Sequence, residues 1–189
     1  MISVKTSHTI EELVKKSRFI ALLIPCTSET TVAQELKNLH NIYPDASHIV
    51  YAYRIKTAQG LVYRFYDAGE PTGTAGKPIF QQLDGKELVN VLLVVVRYFG
   101  GVKLGAGGLT RAYGNAAKHV IDTADTEPYV EWSTLNLTLA YNQMQPFEYQ
   151  LKKLDGRIIE QSFTEQIRLV IELPQENIQA LRRDFPDSY

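Results

Sequence analysis

Val89-Asn90-Val91-Leu92-Leu93-Val94-Val95-Val96-Arg97-Tyr98-Phe99-Gly100-Gly101 is the stretch on which the fold turns. Val89 to Val96, interrupted only by Asn90, is apolar on both faces of any strand it forms, so it reads as a central strand covered on both sides. It is far short of the roughly 20 residues that cross a bilayer. Downstream, Val102 to Gly108 continues a glycine-rich connection. Leu109, Ala112, Tyr113, Ala116, Ala117, Val120 and Ile121 then mark the apolar side of a helix. Arg111, Asn115 and Lys118, spaced by four and three residues, fall on one stripe of its other side.

Upstream, Ser17 to Ile24 reads as a buried strand that Pro25 ends. Val32, Leu36, Leu39 and Tyr43 have helical spacing behind the capping residues Thr27 and Ser28, with Pro44 as the stop. Ile49, Tyr51, Tyr53 and Ile55 alternate as a strand. A loop around Gly60 turns it into a second strand with Leu61, Tyr63 and Phe65. Asp67 to Lys77 is a loop, and Pro78 suits the first turn of a helix holding Ile79, Phe80 and Leu83.

Residues 122–131 read as a linker, which gives one domain over 1–125 and a small one over 132–189. In the second, Leu135 to Tyr141 alternate as a strand, and Asn142 caps a helix with Met144, Phe147, Leu151 and Leu154. Strands follow at Arg157 to Phe163 and Ile167 to Leu173, and Pro174 opens a last helix. The order β-α-β-β-α is a ferredoxin-like plait without its final strand.

The 189 residues allow one or two domains. The net charge of -1 hides an imbalance: residues 1–125 hold 14 Lys/Arg against 11 Asp/Glu, and the remainder 6 against 10. Eleven of the twelve glycines lie between Gly60 and Gly114. Cys26 is the only cysteine, so no intrachain disulfide forms, and it reads as core or surface filler rather than a nucleophile. With no secretory signal pattern in residues 1–20, a reducing, cytoplasmic setting is expected, with no membrane partner.

Two glycine-rich segments carry the candidate chemistry. In Asp67 to Lys77 a phosphate loop would need glycine where Pro71 stands and a hydroxyl where Pro78 stands. In the second, Gly105-x-Gly107 meets Thr110 where the dinucleotide fingerprint needs glycine or alanine. Both segments place small residues, a helix amino terminus and a cation together, so each could hold an anion. Between Glu87 and Asp122 there is no acid, while Arg97, Lys103, Arg111 and Lys118 all fall there. The anion-binding candidates are therefore Arg18, Lys77, Arg97, Gly100, Gly101, Lys103, Gly107, Gly108, Arg111 and Lys118. Weighed equally, Arg97 pairs with Asp67 or Glu70 and the glycines permit tight turns.

His48, Asp67 and Glu70 are the candidate catalytic residues. A structural histidine is the more frequent outcome for His48, which has no second His at metal-ligand spacing. Asp67 and Glu70 suit a metal or acid/base pair, or, more often, they cap turn amides. Tyr51, Tyr53, Tyr63 and Tyr66 could stack bases if exposed, although their alternating apolar partners point to burial of most of them.

Ala46-Ser47-His48, Asp67 to Pro78 and Val96 to Tyr113, with Ser17-Arg18-Phe19-Ile20-Ala21 before them, resemble the YigZ/IMPACT family over roughly residues 1–125. The resemblance implies an α+β chain. Its amino-terminal β-α-β plait is of the kind found in the second domain of a small-subunit ribosomal protein, and its carboxy-terminal domain is ferredoxin-like, as in the fifth domain of elongation factor G. Ala68 departs from the family, which usually has a second acid there. The likeness implies RNA or ribosome contact and a translation-regulatory partner, without catalysis and without a cofactor or metal. The competing expectations are an enzyme acting on a phosphorylated small molecule or nucleotide between the glycine-rich loops, and a protein-interaction module.

Overall fold

The computed structural model describes residues 1–186, in two units: one of Met1–Tyr129 and one that begins at Val130. Residues 187–189 of the expected second domain lie outside the described residues. The first unit runs β1 (Ile2–Val4), β2 (His8–Val14), β3 (Ser17–Pro25), α1 (Glu29–Ile42), β4 (His48–Thr57), β5 (Gly60–Tyr66), α2 (Gly76–Gly85), β6 (Val91–Tyr98), α3 (Ala106–Asp122) and β7 (Thr126–Pro128).

The apolar run became β6, whose first seven residues are buried. It is the centre of an antiparallel five-stranded sheet in the order β2-β3-β6-β4-β5. Both faces are covered, as its composition requires. Val91, Leu93 and Val95 pack with Phe19, Val50, Ile79 and Tyr113 beneath α2 and α3, whereas Leu92, Val94 and Val96 meet Ile20, Val32, Leu39 and Tyr53 beneath α1. Ser28 caps α1 by accepting the Thr31 amide at 3.1 Å. Cys26 lies inside the α1 layer, where burial and then the charge of Glu35 push its thiol up to about 11, an inert packing residue.

Two features were not legible as alternation. Residues 1–16 contain β1 and β2, and β2 is a half-exposed edge strand with Glu11 and Glu12 in its middle. The expected linker is only partly one: Asp122 closes α3, and Thr126–Pro128 pairs antiparallel with Ile2–Val4. Three exposed residues are too few to show a period of two.

In the second unit, β8 (Trp132–Leu139), α4 (Met144–Lys153), β9 (Arg157–Phe163), β10 (Ile167–Pro174) and α5 (Ile178–Asp184) form an antiparallel sheet in the order β8-β10-β9. That is the ferredoxin-like order, with β10 between two strands that run parallel to each other. Phe147, Leu151 and Leu181 cover Leu137, Leu139, Ile167, Leu169 and Ile171 on one face. Both helices begin with a 3-10 turn, Tyr141–Gln143 and Gln175–Asn177. Among the described residues no helix is long and apolar enough to cross a membrane.

Candidate anion-binding site

Antiparallel pairing brings the start of β3, the start of β4 and the end of β6 to one end of the sheet, with Arg18 opposite Tyr98 and Arg97 opposite His48. Both glycine-rich loops leave from this end, and they differ in what their amides already hold.

In the first loop, Asp67 folds back on α2. Its carboxylate accepts the amides of Gly73 at 2.9 Å, Ala75 at 3.1 Å and Gly76 at 2.8 Å. A negative charge at the positive end of a helix, bonded to amides that lack an intrahelical partner, is itself the anion that such a terminus attracts. The first loop therefore carries its own anion, and Asp67 takes the more frequent of the two roles expected for it, the capping of turn amides. Lys77 stays exposed.

Glu70 ties the two loops together. Its Oε1 accepts Arg97 Nη1 at 2.6 Å and the Tyr113 hydroxyl at 2.7 Å, and His48 Nε2 lies 3.7 Å away. A carbonyl only accepts, so the 2.9 Å contact of His48 Nδ1 with the Ala68 oxygen puts the proton on Nδ1. The Arg97 guanidinium lies 5.5 Å from the centres of both the Phe19 and Phe99 rings and is 4% exposed. Of the two readings held open for Arg97, contact with phosphate or pairing with Asp67 or Glu70, the structure shows the pairing, with Glu70. The same bonds occupy Glu70 and position His48. Burial, and then the hydrogen bond to Glu70, hold the Tyr113 phenol protonated far above its ordinary range. This contribution to stability is present below about pH 10 and is lost as pH rises above it.

The second loop is built for close approach. A Cβ on Gly100 would lie 1.9 Å from the Lys16 carbonyl oxygen, so only glycine lets the loop cross the β2–β3 turn there. Its amide donates to Ser17 Oγ at 3.3 Å, and that of Phe99 to Ser47 Oγ at 3.0 Å. Gly105, at φ +72°, precedes α3, whose first turn of Ala106, Gly107 and Gly108 receives no side-chain cap. The Arg111 guanidinium folds back over that turn, with Nη1 3.6 Å from where a Gly107 Cβ would stand. Lys103, in the loop before α3, is exposed, and neither cation has a partner among the described residues.

A cleft of about 260 Å³ continues from Gly108 along α3, lined by Lys15 and Arg111, by the apolar Val14, Leu104 and Ala112, and by Asn115, with Glu12 and His119 also in its wall. Two other expected cations are diverted. Arg18 makes a bidentate pair with Glu11 at 2.7 and 2.8 Å, and Lys118 pairs with Asp122 at 2.6 Å. Glu12 likewise pairs with His119. The acid-free window in the sequence is thus neutralised in part by Glu70 from the first loop, Glu12 from β2 and Asp122 at the end of α3 itself. Lys103, Arg111 and Lys15 remain open.

The Impact N-terminal domain profile matches residues 15–121, more than half of the chain. The chain belongs to the IMPACT family. A second profile, a domain of unknown function (DUF1949), matches residues 137–188 of this IMPACT-family protein. An IMPACT family member from Haemophilus influenzae is 33% identical over 184 residues, covering 97% of this chain and 89% of that protein. IMPACT family member YigZ of Escherichia coli is 33% identical over 171 residues, covering 90% and 84%. A crystal structure described as a hypothetical protein aligns with a TM-score of 0.72 at 30% identity, covering 98% of this chain and 91% of that one.

Four residues of the IMPACT-family site had no role in the sequence reading: Lys15 on the cleft, Ser17 and Ser47 as acceptors for the second loop, and Tyr113 on Glu70. Tyr113 sits in the apolar stripe of α3, which hides its hydroxyl. The serines stand at strand starts, where partners in distant sequence decide their bonds.

Proposed function

We propose that this protein binds RNA through its sugar-phosphate backbone at the amino terminus of α3 and the adjoining cleft, without a catalytic step. In this reading it acts in the cytoplasm as a ribosome-associated regulator of translation, the role the family likeness implies. The observation that supports the site is the contrast between the loops: Asp67 fills the amides before α2, while those opening α3 have no side-chain cap, with Arg111 folded back on the turn and Lys103 exposed two residues before Gly105. Backbone amides at a helix terminus flanked by free Arg and Lys suit phosphate oxygens. Asp67 and Glu70, the candidate acids, already accept three and two hydrogen bonds, which favours binding over acid/base chemistry.

Affinity for a single-stranded oligoribonucleotide, measured by fluorescence anisotropy against salt, tests this reading. Log affinity falls with log salt at about 0.7 per phosphate neutralised. Lys103→Glu with Arg111→Glu lowers affinity at least about tenfold at low salt, flattens the slope by about one per charge removed, and leaves the melting temperature unchanged. A slope of zero, or a double variant that binds like the parent, overturns the reading.

A further inference from the structure

The tyrosines on the sheet edge find no use in phosphate binding. Tyr53 is buried and Tyr51 half-buried, but Tyr66 is 55% and Tyr63 56% exposed, against the expectation that most would be covered. The reason is topological: β5 is the edge strand, and α1 does not reach its end. Tyr63 is taken up by Phe80 of α2, stacked at 4.8 Å. Tyr66 pairs in register with Tyr51 on the opposite, α1 face, the ring centres 5.6 Å apart and tilted by 43°. Beside them is a cavity of about 280 Å³, lined also by Tyr43, Ser47 and His48. The hydroxyls of Tyr43, Tyr51 and Tyr66 make no hydrogen bond among the described residues.

We propose that this cavity is a nucleobase subsite, in which one unstacked base of single-stranded RNA lies against Tyr66 and Tyr51. The proposal rests on the RNA reading and adds to it a preference for single strands. The volume, below the roughly 300–1,000 Å³ of sites for larger ligands, fits one flat ring system. A lining that combines tyrosine rings with phenol, imidazole and serine groups matches a base, which offers a π face and a polar edge. The platform is held in place, because Gly76 packs so closely on the Tyr66 backbone that a Cβ there would lie 2.8 Å from the Tyr66 nitrogen. The cavity is also joined to the phosphate loop. Ser47 in its wall accepts the Phe99 amide at 3.0 Å and donates its own amide to the Arg97 carbonyl at 2.9 Å. Phe99, 48% exposed, marks the path between them.

The test compares the full chain on three probes: a single-stranded oligoribonucleotide, an abasic oligomer with the same phosphates, and a duplex of equal length. The parent binds the single strand more tightly than either of the others. Tyr66→Ala weakens single-strand binding roughly five- to 150-fold and leaves abasic binding unchanged, while Tyr66→Phe retains most of the affinity. Lys103→Glu with Arg111→Glu weakens binding to all three. Equal binding of single-stranded and abasic oligomers, or a Tyr66→Ala variant that matches the parent on both, overturns the base subsite and leaves the phosphate reading intact. No binding to any probe overturns both. Tyr66 is largely exposed, so its substitution leaves the melting temperature near that of the parent, which separates a binding effect from unfolding.

Discussion

Gly100→Ala is expected to be the most damaging single-methyl change in the protein. The added carbon would stand 1.9 Å from the Lys16 carbonyl oxygen, 2.1 Å from its carbon and 2.6 Å from the Ser17 nitrogen. These atoms are backbone, so no rotamer change relieves the overlap. Either the end of β6 must lift off β3 or the β2–β3 turn must open, and Lys15 and Lys16 already hold that turn at φ 45° and 70°. Overpacking of well-filled sites costs about 1–3 kcal/mol, and a backbone collision lies at or beyond the top of that range. Gly101→Ala provides the control. Gly101 has φ +83° and open space around its Cα, so alanine there meets only the left-handed backbone penalty of about 1–2 kcal/mol. Thermal unfolding of the two variants, read on the transition of the first unit, should show a much larger drop for Gly100→Ala. Equal drops would mean that the crossing of the loop over Lys16 is not as described.

Glu70→Ala is the second large effect. Glu70 and Arg97 have side chains only 4% and 5% exposed, and their contact is 2.6 Å. Removal of the carboxylate leaves a buried guanidinium facing Tyr113 and His48 with no counter-charge. Breaking a buried pair from one side costs about 3–5 kcal/mol, a large part of the 5–15 kcal/mol that holds a domain together. At about 2–4 °C per kcal/mol for a chain of this size, the transition falls by roughly 6–20 °C. Arg97→Met in the same chain removes the orphaned charge, and the double variant should be more stable than Glu70→Ala alone. A Glu70→Ala protein within about 1 kcal/mol of the parent would contradict a buried ion pair at this position.

The two predictions differ in how far the sequence showed them: pairing of Arg97 with Asp67 or Glu70 was one of two readings the residues left open, and the structure selects Glu70, whereas nothing local marked the approach of Gly100 to Lys16. The β6 run announced a strand covered on both sides because six consecutive apolar residues, Val91 to Val96, leave no face for water, and the apolar set on α3 matched its buried side residue for residue. Periodicity reports burial, and it did so well where elements are long. It was silent on β7, three exposed residues long, and on β2, whose edge position lets polar residues alternate with half-buried ones. It misplaced Tyr63 and Tyr66 because alternation does not reveal that β5 has no outer neighbour.

The site was less legible still. Charge counted along the chain gave Arg97, Arg111, Lys103 and Lys118 equal standing, yet Glu70, 27 residues before Arg97, and Asp122, one helical turn beyond Lys118, withdraw two of them. The two glycine-rich loops looked alike because glycine, cation and helix start recur in both. What separates them is one carboxylate, Asp67: that such an acid caps turn amides was the more frequent expectation, but composition does not say that it reaches amides six to nine residues ahead and fills the start of α2.

Amide chemical-shift mapping distinguishes the two loops experimentally. In a titration of the isotope-labelled full chain with a short single-stranded oligoribonucleotide at low salt, the amides of Ala106, Gly107 and Gly108 should shift progressively and saturably. Those of Gly73, Ala75 and Gly76, already bonded to Asp67, should hold their positions. Shifts concentrated at Gly73 to Gly76, with the first turn of α3 unmoved, would place RNA at the first loop and not at α3.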